Sequence, residues 1–210
     1  MKVLGIIGSN RKAGNTATMV SKILSTLEEM NIETEKLFLS DYNYSSCNGC
    51  EGCRKTYKCV LKDDMQDIYK KIMETDAIVI GSPTYFYNIT AETKAFLDRL
   101  YCYEIFDSDD RSVWIPLNEV LGLKYAVTVS VCEQEKEEDM GFTPLALSKP
   151  LEALGYRVIE NLKVLKVFEA GKVNEIPENI KKAENAGKKL GRYMLLRKNI
   201  AGSIKTDNKQ

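Results

Sequence analysis

Apolar segments of strand length recur along this chain, each followed by a stretch with helical spacing. That alternation restricts the fold more than any other feature. "KVLGIIG" (2–8) is a short apolar run ending at glycine, the pattern of a buried strand. Beyond "SNRKAGNT", the stretch "ATMVSKILSTLEEM" puts Met19, Ile23, Leu24 and Leu27 near one helical face. "IETEKLFL" (32–39) alternates as a strand does. "DDMQDIYKKIMET" (63–75) predicts a helix with Asp63 as N-cap and Gln66 completing a capping box. "AIVIGSP" (77–83), "KYAVTVSV" (124–131) and "YRVIENLKVL" (156–165) predict three more strands. Between them lie helices at 90–101, capped by Thr90, and at 143–154, opened by Pro144 and ended at Gly155, with Pro150 a point of kinking. A last helix is expected over 177–197. Residues 40–62 and 104–122 read as irregular, and 201–210 as a frayed tail.

Five strands alternating with helices predict an α/β fold with a doubly wound parallel sheet. Right-handed crossovers and the strand count favour the flavodoxin-like order 2-1-3-4-5 over a six-stranded dinucleotide fold. A single domain is expected over 1–200, with a cysteine-rich loop (40–62) and an insertion (104–122) as decorations and 201–210 as tail.

The charge balance removes several function classes. Lys plus Arg equals Asp plus Glu, 30 each, which argues against nucleic-acid binding by phosphate neutralisation. There is no signal-like start and no run of about 18 apolar residues, so the expectation is a cytoplasmic protein without membrane contact. Thiols stay reduced there, and clustered cysteines are then more often metal-binding or catalytic than disulfide-forming. The chain has no histidine. Histidine triads, histidine general bases and histidine-containing zinc sites are therefore excluded, and the chemistry falls to carboxylates, thiols, Lys, Tyr or a cofactor.

In a sheet of this kind, ligands bind outside the carboxyl ends of the strands, where strand order reverses. Three loops are expected at that edge: 8–16, 81–88 and 131–141. "GSNRKAGNTAT" leaves a strand and enters a helix, the context in which N–H groups hold a phosphate. Ser9, Asn15 and Thr16 are the natural donors, Asn10 lies between them, and Arg11 adds charge. The loop is neither a P-loop nor G-x-G-x-x-G, and an ordinary capped turn remains the plain alternative. "GSPTYFYNIT" carries Tyr85, Phe86 and Tyr87 after Ser82–Pro83, and suits a flat heteroaromatic ring; core or dimer contacts are the alternative. One ligand fits both loops: a single phosphate on a chain ending in a flat ring, such as FMN.

"CNGCEGCRKTYKC" (47–59) gathers four of the six cysteines, Cys47, Cys50, Cys53 and Cys59, as C-x2-C-x2-C-x5-C. A compact C-x2-C-x2-C loop supplies three thiolates to a four-iron cluster, and Cys59 is placed to close it. Structural zinc prefers two separated C-x2-C pairs. A cluster, a metal-free loop, and zinc or a disulfide all stay open on spacing alone. Cys102 and Cys132 read as ordinary semi-buried thiols.

"GIIGSNRKAGNT", the C-x2-C-x2-C run followed by "CVLKDDMQ", and "GSPTYFYNITAETKAFLDR" together resemble the NADPH-dependent FMN reductase-like group of flavodoxin-like proteins, and most of all its iron–sulfur flavoproteins. The resemblance covers about residues 1–103. It implies that Ser9, Asn10, Arg11, Asn15 and Thr16 serve the FMN phosphate, and that Pro83, Thr84, Tyr85 and Phe86 wrap the ring with Asn88 nearby. It implies a [4Fe–4S] cluster on the four motif cysteines, and a homodimer or tetramer joined through 40–62 and 104–122. The third loop, "VCEQEKEEDMG", departs from the glycine-rich turn of many relatives and reads as a solvated flap.

The expected function is electron transfer from a ferredoxin-like donor through the cluster to FMN and on to a small-molecule acceptor. A cluster-free NAD(P)H-dependent FMN or quinone reductase is the second expectation. A zinc-clipped, non-enzymatic binding module is the third.

Overall fold

The protein is described from a computed structural model, over residues 1–207. Five parallel strands form the sheet: β1 (Lys2–Ile7), β2 (Glu33–Phe38), β3 (Ala77–Pro83), β6 (Lys124–Val131) and β7 (Tyr156–Val164). Their spatial order is β2-β1-β3-β6-β7, the 2-1-3-4-5 arrangement expected from the alternation. β1, β3 and β6 are central and almost continuously buried, because both of their faces are covered by helices; β6 carries Lys124, Thr128 and Ser130 inside as well. β2 is an edge and is mostly polar, with only Leu37 buried.

Helix α1 (Asn15–Glu29) and helix α6 (Pro177–Asp207) cover one face of the sheet. There Met19, Val20, Ile23 and Leu27 pack on Val3, Val79 and Val127. Helices α2 (Met65–Met73), α3 (Ala91–Arg99) and α5 (Thr143–Ala153) cover the other. There Ile68, Phe96 and Leu151 pack on Leu4, Ile80 and Ala126. The helix α5 runs unbroken through Pro150.

Three local expectations are corrected. The last helix does not stop near 197 but runs unbroken to Asp207; no proline interrupts the polar stretch that continues it. Residues 208–210 of the expected tail lie outside the described residues. The 104–122 segment is not irregular. It folds as an antiparallel hairpin, β4 (Glu104–Phe106) against β5 (Trp114–Pro116), followed by the short helix α4 (Leu117–Leu121). Phe106 and Trp114 stack across the hairpin at 6.2 Å, and Tyr101 extends the stack. Strands of three residues are too short to show a period.

The capping box at α2 is the third correction. The helix starts at Met65, so its N-cap is Asp64, whose side chain caps nothing; the expected N-cap, Asp63, lies one residue earlier and accepts a hydrogen bond from the Met65 N–H at 3.2 Å. Gln66 instead turns its amide outward and donates to the Cys59 and Leu61 carbonyls at 3.0 and 2.6 Å. It anchors the returning end of the cysteine loop.

Thr90 caps α3 as expected, accepting from the Thr93 N–H at 3.3 Å. It also joins two loops. Its hydroxyl donates to the Gly8 carbonyl at 2.8 Å, and its N–H donates to Ser82 Oγ at 3.1 Å. Thr90 is buried, so Thr90→Val keeps the shape but leaves the Gly8 carbonyl and the Thr93 N–H without this partner. The expected cost is about 2 kcal/mol, read as a lower urea midpoint at unchanged m-value. An unaltered midpoint would show that the loops are held together by other means.

Candidate functional site

β1, β3, β6 and β7 all deliver their carboxyl ends to one edge of the sheet, and a cleft of about 280 Å³ opens there. It is lined by Ser9, Arg11, Asn15 and Thr16 from the first loop and by Pro83, Thr84, Tyr85 and Phe86 from the second. Eight of the ten residues singled out as ligand-binding thus meet in one place. α1 begins at this cleft, with Gly14 as N-cap in extended conformation and no side chain on the first N–H groups. Such a helix start favours an anion.

Two residues fall elsewhere. Asn10 lines a separate surface hollow with Leu39, Tyr42 and Ala91. Asn88 closes the second loop from behind. Its backbone pairs with Tyr85 through two hydrogen bonds, and its side-chain carbonyl accepts from the Ile89 N–H at 2.9 Å. Between them Phe86 and Tyr87 both hold left-handed φ, 47° and 65°. Bulky residues rarely adopt this, and it leaves Phe86 almost wholly exposed at the rim.

Asn15 also differs from expectation in detail. Its amide donates to the Glu169 carbonyl at 2.9 Å and accepts from the Val173 N–H at 3.0 Å. The side chain therefore fastens the loop after β7, and only its place at the helix start serves the cleft. Arg11 works on the same loop. It donates to the Phe168 carbonyl at 2.9 Å and lies over the Phe168 ring at 5.1 Å. Phe168, Val167, Val131 and Glu133 complete the lining. Val131 and Glu133 belong to the third loop expected at this edge, whereas sequence reasoning missed Val167 and Phe168. The signal available was their position just past the carboxyl end of β7.

The third loop behaves as a solvated flap over 133–139. Residues 133–138 are all exposed, with Lys163 paired to Glu137 and Lys166 to Glu135. Its last residue is more constrained. Gly141 has φ +53° and sits so close to Tyr87 that a Cβ would meet the Tyr87 carbonyl at 2.4 Å. The flap thereby holds the aromatic turn in place.

Thr84 supplies a test of whether this cleft suits a ligand. Its Oγ1 is buried with no hydrogen-bond partner among the described residues. A buried hydroxyl left unpaired is costly, and a polar group in the cleft would satisfy it. The residues present therefore fit FMN: a helix start for phosphate, an aromatic turn for the ring, and an unpaired hydroxyl between them.

A second cavity, about 690 Å³, holds Cys47, Cys50, Cys53 and Cys59 in its wall. It lies where α3 and α5 end, with Arg99, Cys102, Lys149 and Leu154 opposite the loop. Cys102, read from sequence as an ordinary thiol, is buried within this wall. Burial pushes its thiol up to about 12, and the Cys59 and Cys53 charges add to that. Burial also raises Cys53, and charge on Cys59, Cys47 and Cys50 raises it further. Cys53 thus lies within electrostatic reach of the other three motif cysteines. Among the described residues, no three His, Cys, Asp or Glu side chains converge as a finished metal site. The donor set is nevertheless of the right kind for a thiolate-bound centre, and the loop from 43 to 51 carries no regular backbone hydrogen bonding that would resist its wrapping.

One ion pair ties this loop to the core. Arg99 donates to both oxygens of Asp63, at 2.6 and 2.9 Å, and to the Ser45 carbonyl at 3.0 Å. Ser45 precedes the motif and Asp63 follows it, so one guanidinium closes both ends. Arg99 holds the Asp63 carboxyl below its ordinary range.

A parallel sheet in this order with a phosphate-type cleft at its switch point defines a flavodoxin-like protein. The model of the NADPH-dependent FMN reductase family matches residues 1–134, and the chain belongs to that family. It is 40% identical over 103 residues to an iron–sulfur flavoprotein of Archaeoglobus fulgidus, covering 49% of this chain and 47% of that protein. It is 43% identical over 99 residues to one from Methanocaldococcus jannaschii, covering 47% and 51%. The matched segment spans about half the length of these curated relatives. A solved flavodoxin from the domain Archaea superposes with a TM-score of 0.57 at 15% identity, over 92% of this chain and 98% of that one, which shows the fold. No helix among the described residues is long and apolar enough to cross a membrane.

Proposed function

We propose that this chain is an FMN-dependent oxidoreductase of the iron–sulfur flavoprotein type. It takes electrons from a ferredoxin-like donor at the cysteine loop and delivers them from the cleft to a small acceptor. The observation that carries the reading is the cleft itself, where eight expected contact residues meet beside an unpaired buried hydroxyl. FMN, when bound, supplies the electron-accepting ring. The protein's part is placement. Ser9, Thr16 and the start of α1 receive the phosphate, Arg11 adds charge, and Pro83 to Phe86 form the wall for the ring. Cys47, Cys50, Cys53 and Cys59 would hold a [4Fe–4S] cluster, which supplies one-electron transfer.

No residue lines both cavities. The cleft sits at the start of α1, the cysteine pocket at the ends of α3 and α5. That separation favours a homodimer or tetramer in which one protomer's cysteine pocket faces its partner's cleft. The exposed Val113, Trp114 and Ile115 of the 104–122 hairpin suit the contact. The second reading, a cluster-free NAD(P)H-dependent reductase, is favoured by the thiols lining their cavity without converging.

Protein purified without oxygen is expected to hold about one FMN and about four irons per chain, to be reduced rapidly by ferredoxin, and to scatter light as a dimer or larger. Flavin without iron or zinc, together with fast NAD(P)H oxidation, would establish the second reading. Colourless protein holding only zinc would sink both in favour of a binding module.

A further inference from the structure

Arg99 stands in the wall of the cysteine cavity with its side chain fully buried behind that wall, and its Nε has no hydrogen-bond acceptor among the described residues. The two Nη atoms are engaged by Asp63 and Ser45. A guanidinium used only as a clamp would not need a buried donor left over. We propose that Arg99 is the counter-charge of the cysteine pocket: its Nε–H edge serves a negatively charged thiolate-bound centre there and raises that centre's reduction potential, while Asp63 fixes its orientation.

The inference rests on the cluster reading above. The chemistry follows from charge. Four thiolates leave such a centre anionic, and each added electron increases that charge. A fixed positive group and an N–H donor beside the sulfurs favour the reduced form, which is one of the levers by which a protein sets such potentials. Other charges face the pocket. Glu104 lies in its wall, its carboxyl raised by burial, and Lys149, Glu51 and Asp98 also line it. Arg99 is the fully buried one. Burial works against its charge, but the Asp63 hydrogen bonds and the neighbouring Tyr69 and Cys59 hold it protonated. Tyr69 fixes the backbone as well, donating to the Arg99 carbonyl at 2.7 Å.

Two conservative variants of the full chain separate this role from a clamp. Arg99→Lys keeps a cation for Asp63 but has no Nε–H edge for the cavity. Asp63→Asn removes the negative charge behind the guanidinium and keeps hydrogen-bonding atoms. Both would be purified without oxygen, assayed for iron and FMN, and titrated for the midpoint potential of the iron centre by spectroscopy. The expected result is a lower potential in Arg99→Lys and a higher one in Asp63→Asn. Each shift should be about tenfold in the reduced-to-oxidised ratio at fixed poise, about 59 mV for a one-electron couple. Unchanged potentials with iron retained would overturn the inference alone. Equal loss of iron from both variants, with FMN retained, would reduce the pair to a clamp. Wild-type protein carrying FMN but no iron would overturn the cluster reading and this inference with it.

Discussion

Arg99→Ala is expected to destabilise the protein by about 3–5 kcal/mol, the cost of leaving one partner of a buried ion pair alone. Asp63 keeps only 18% of its side chain exposed and Arg99 none, so water does not replace the lost guanidinium. The loss should fall with acidity. The Asp63 carboxyl is depressed in the folded protein by the Arg99 hydrogen bonds. The stability it contributes is therefore complete above the ordinary aspartate value, about 4, and disappears as pH falls through the lowered folded value. The gap between wild type and variant should be widest near neutrality and narrow below about pH 4. Urea unfolding at several pH values measures this. A gap that stays constant with pH would mean the cost comes from lost packing and not from the pair.

Gly8→Ala should have the second large effect, and on the cleft. Gly8 follows β1 and begins the first loop. Its N–H donates to the Gly81 carbonyl at 2.8 Å, and its own carbonyl accepts from Thr90. A Cβ there would meet Thr93 Oγ1 at 1.8 Å and the Gly81 carbonyl at 3.1 Å. Thr93 is fully buried and bonded to Thr90, so it cannot swing aside. The expected cost is about 3 kcal/mol, with FMN affinity lowered at least about tenfold because both walls of the cleft shift. Flavin fluorescence titration reads the second effect. FMN bound as tightly as in wild type would show that the first loop does not depend on this close approach.

Much of this protein was legible in the sequence because the signals were periodic or compact. The apolar runs of β1 and β3 fixed both strand type and burial, and the alternation with helices left one plausible sheet order. Thr90 announced its cap, and the C-x2-C-x2-C spacing announced a common thiol pocket. The loops after β1 and β3 could be marked as a joint ligand edge, since strand ends in such sheets converge there. Other features depended on contacts between residues far apart in the chain. By sequence Asn15 suits a phosphate donor, but the loop after β7 takes its amide. By sequence Gln66 suits half of a capping box, but the cysteine loop takes its side chain. Phe168 became a wall of the cleft through Arg11, 157 residues earlier. Cys102 and Arg99 joined the cysteine pocket because α3 ends beside the 47–59 loop. Local pattern determined which elements form, since a period of two or 3.6 is set by neighbouring residues. The tertiary structure alone decided which polar side chains hold the loops and which remain for a ligand. A hydrogen-bonding group is committed by whatever lies opposite it, and in this fold that partner comes from another strand end.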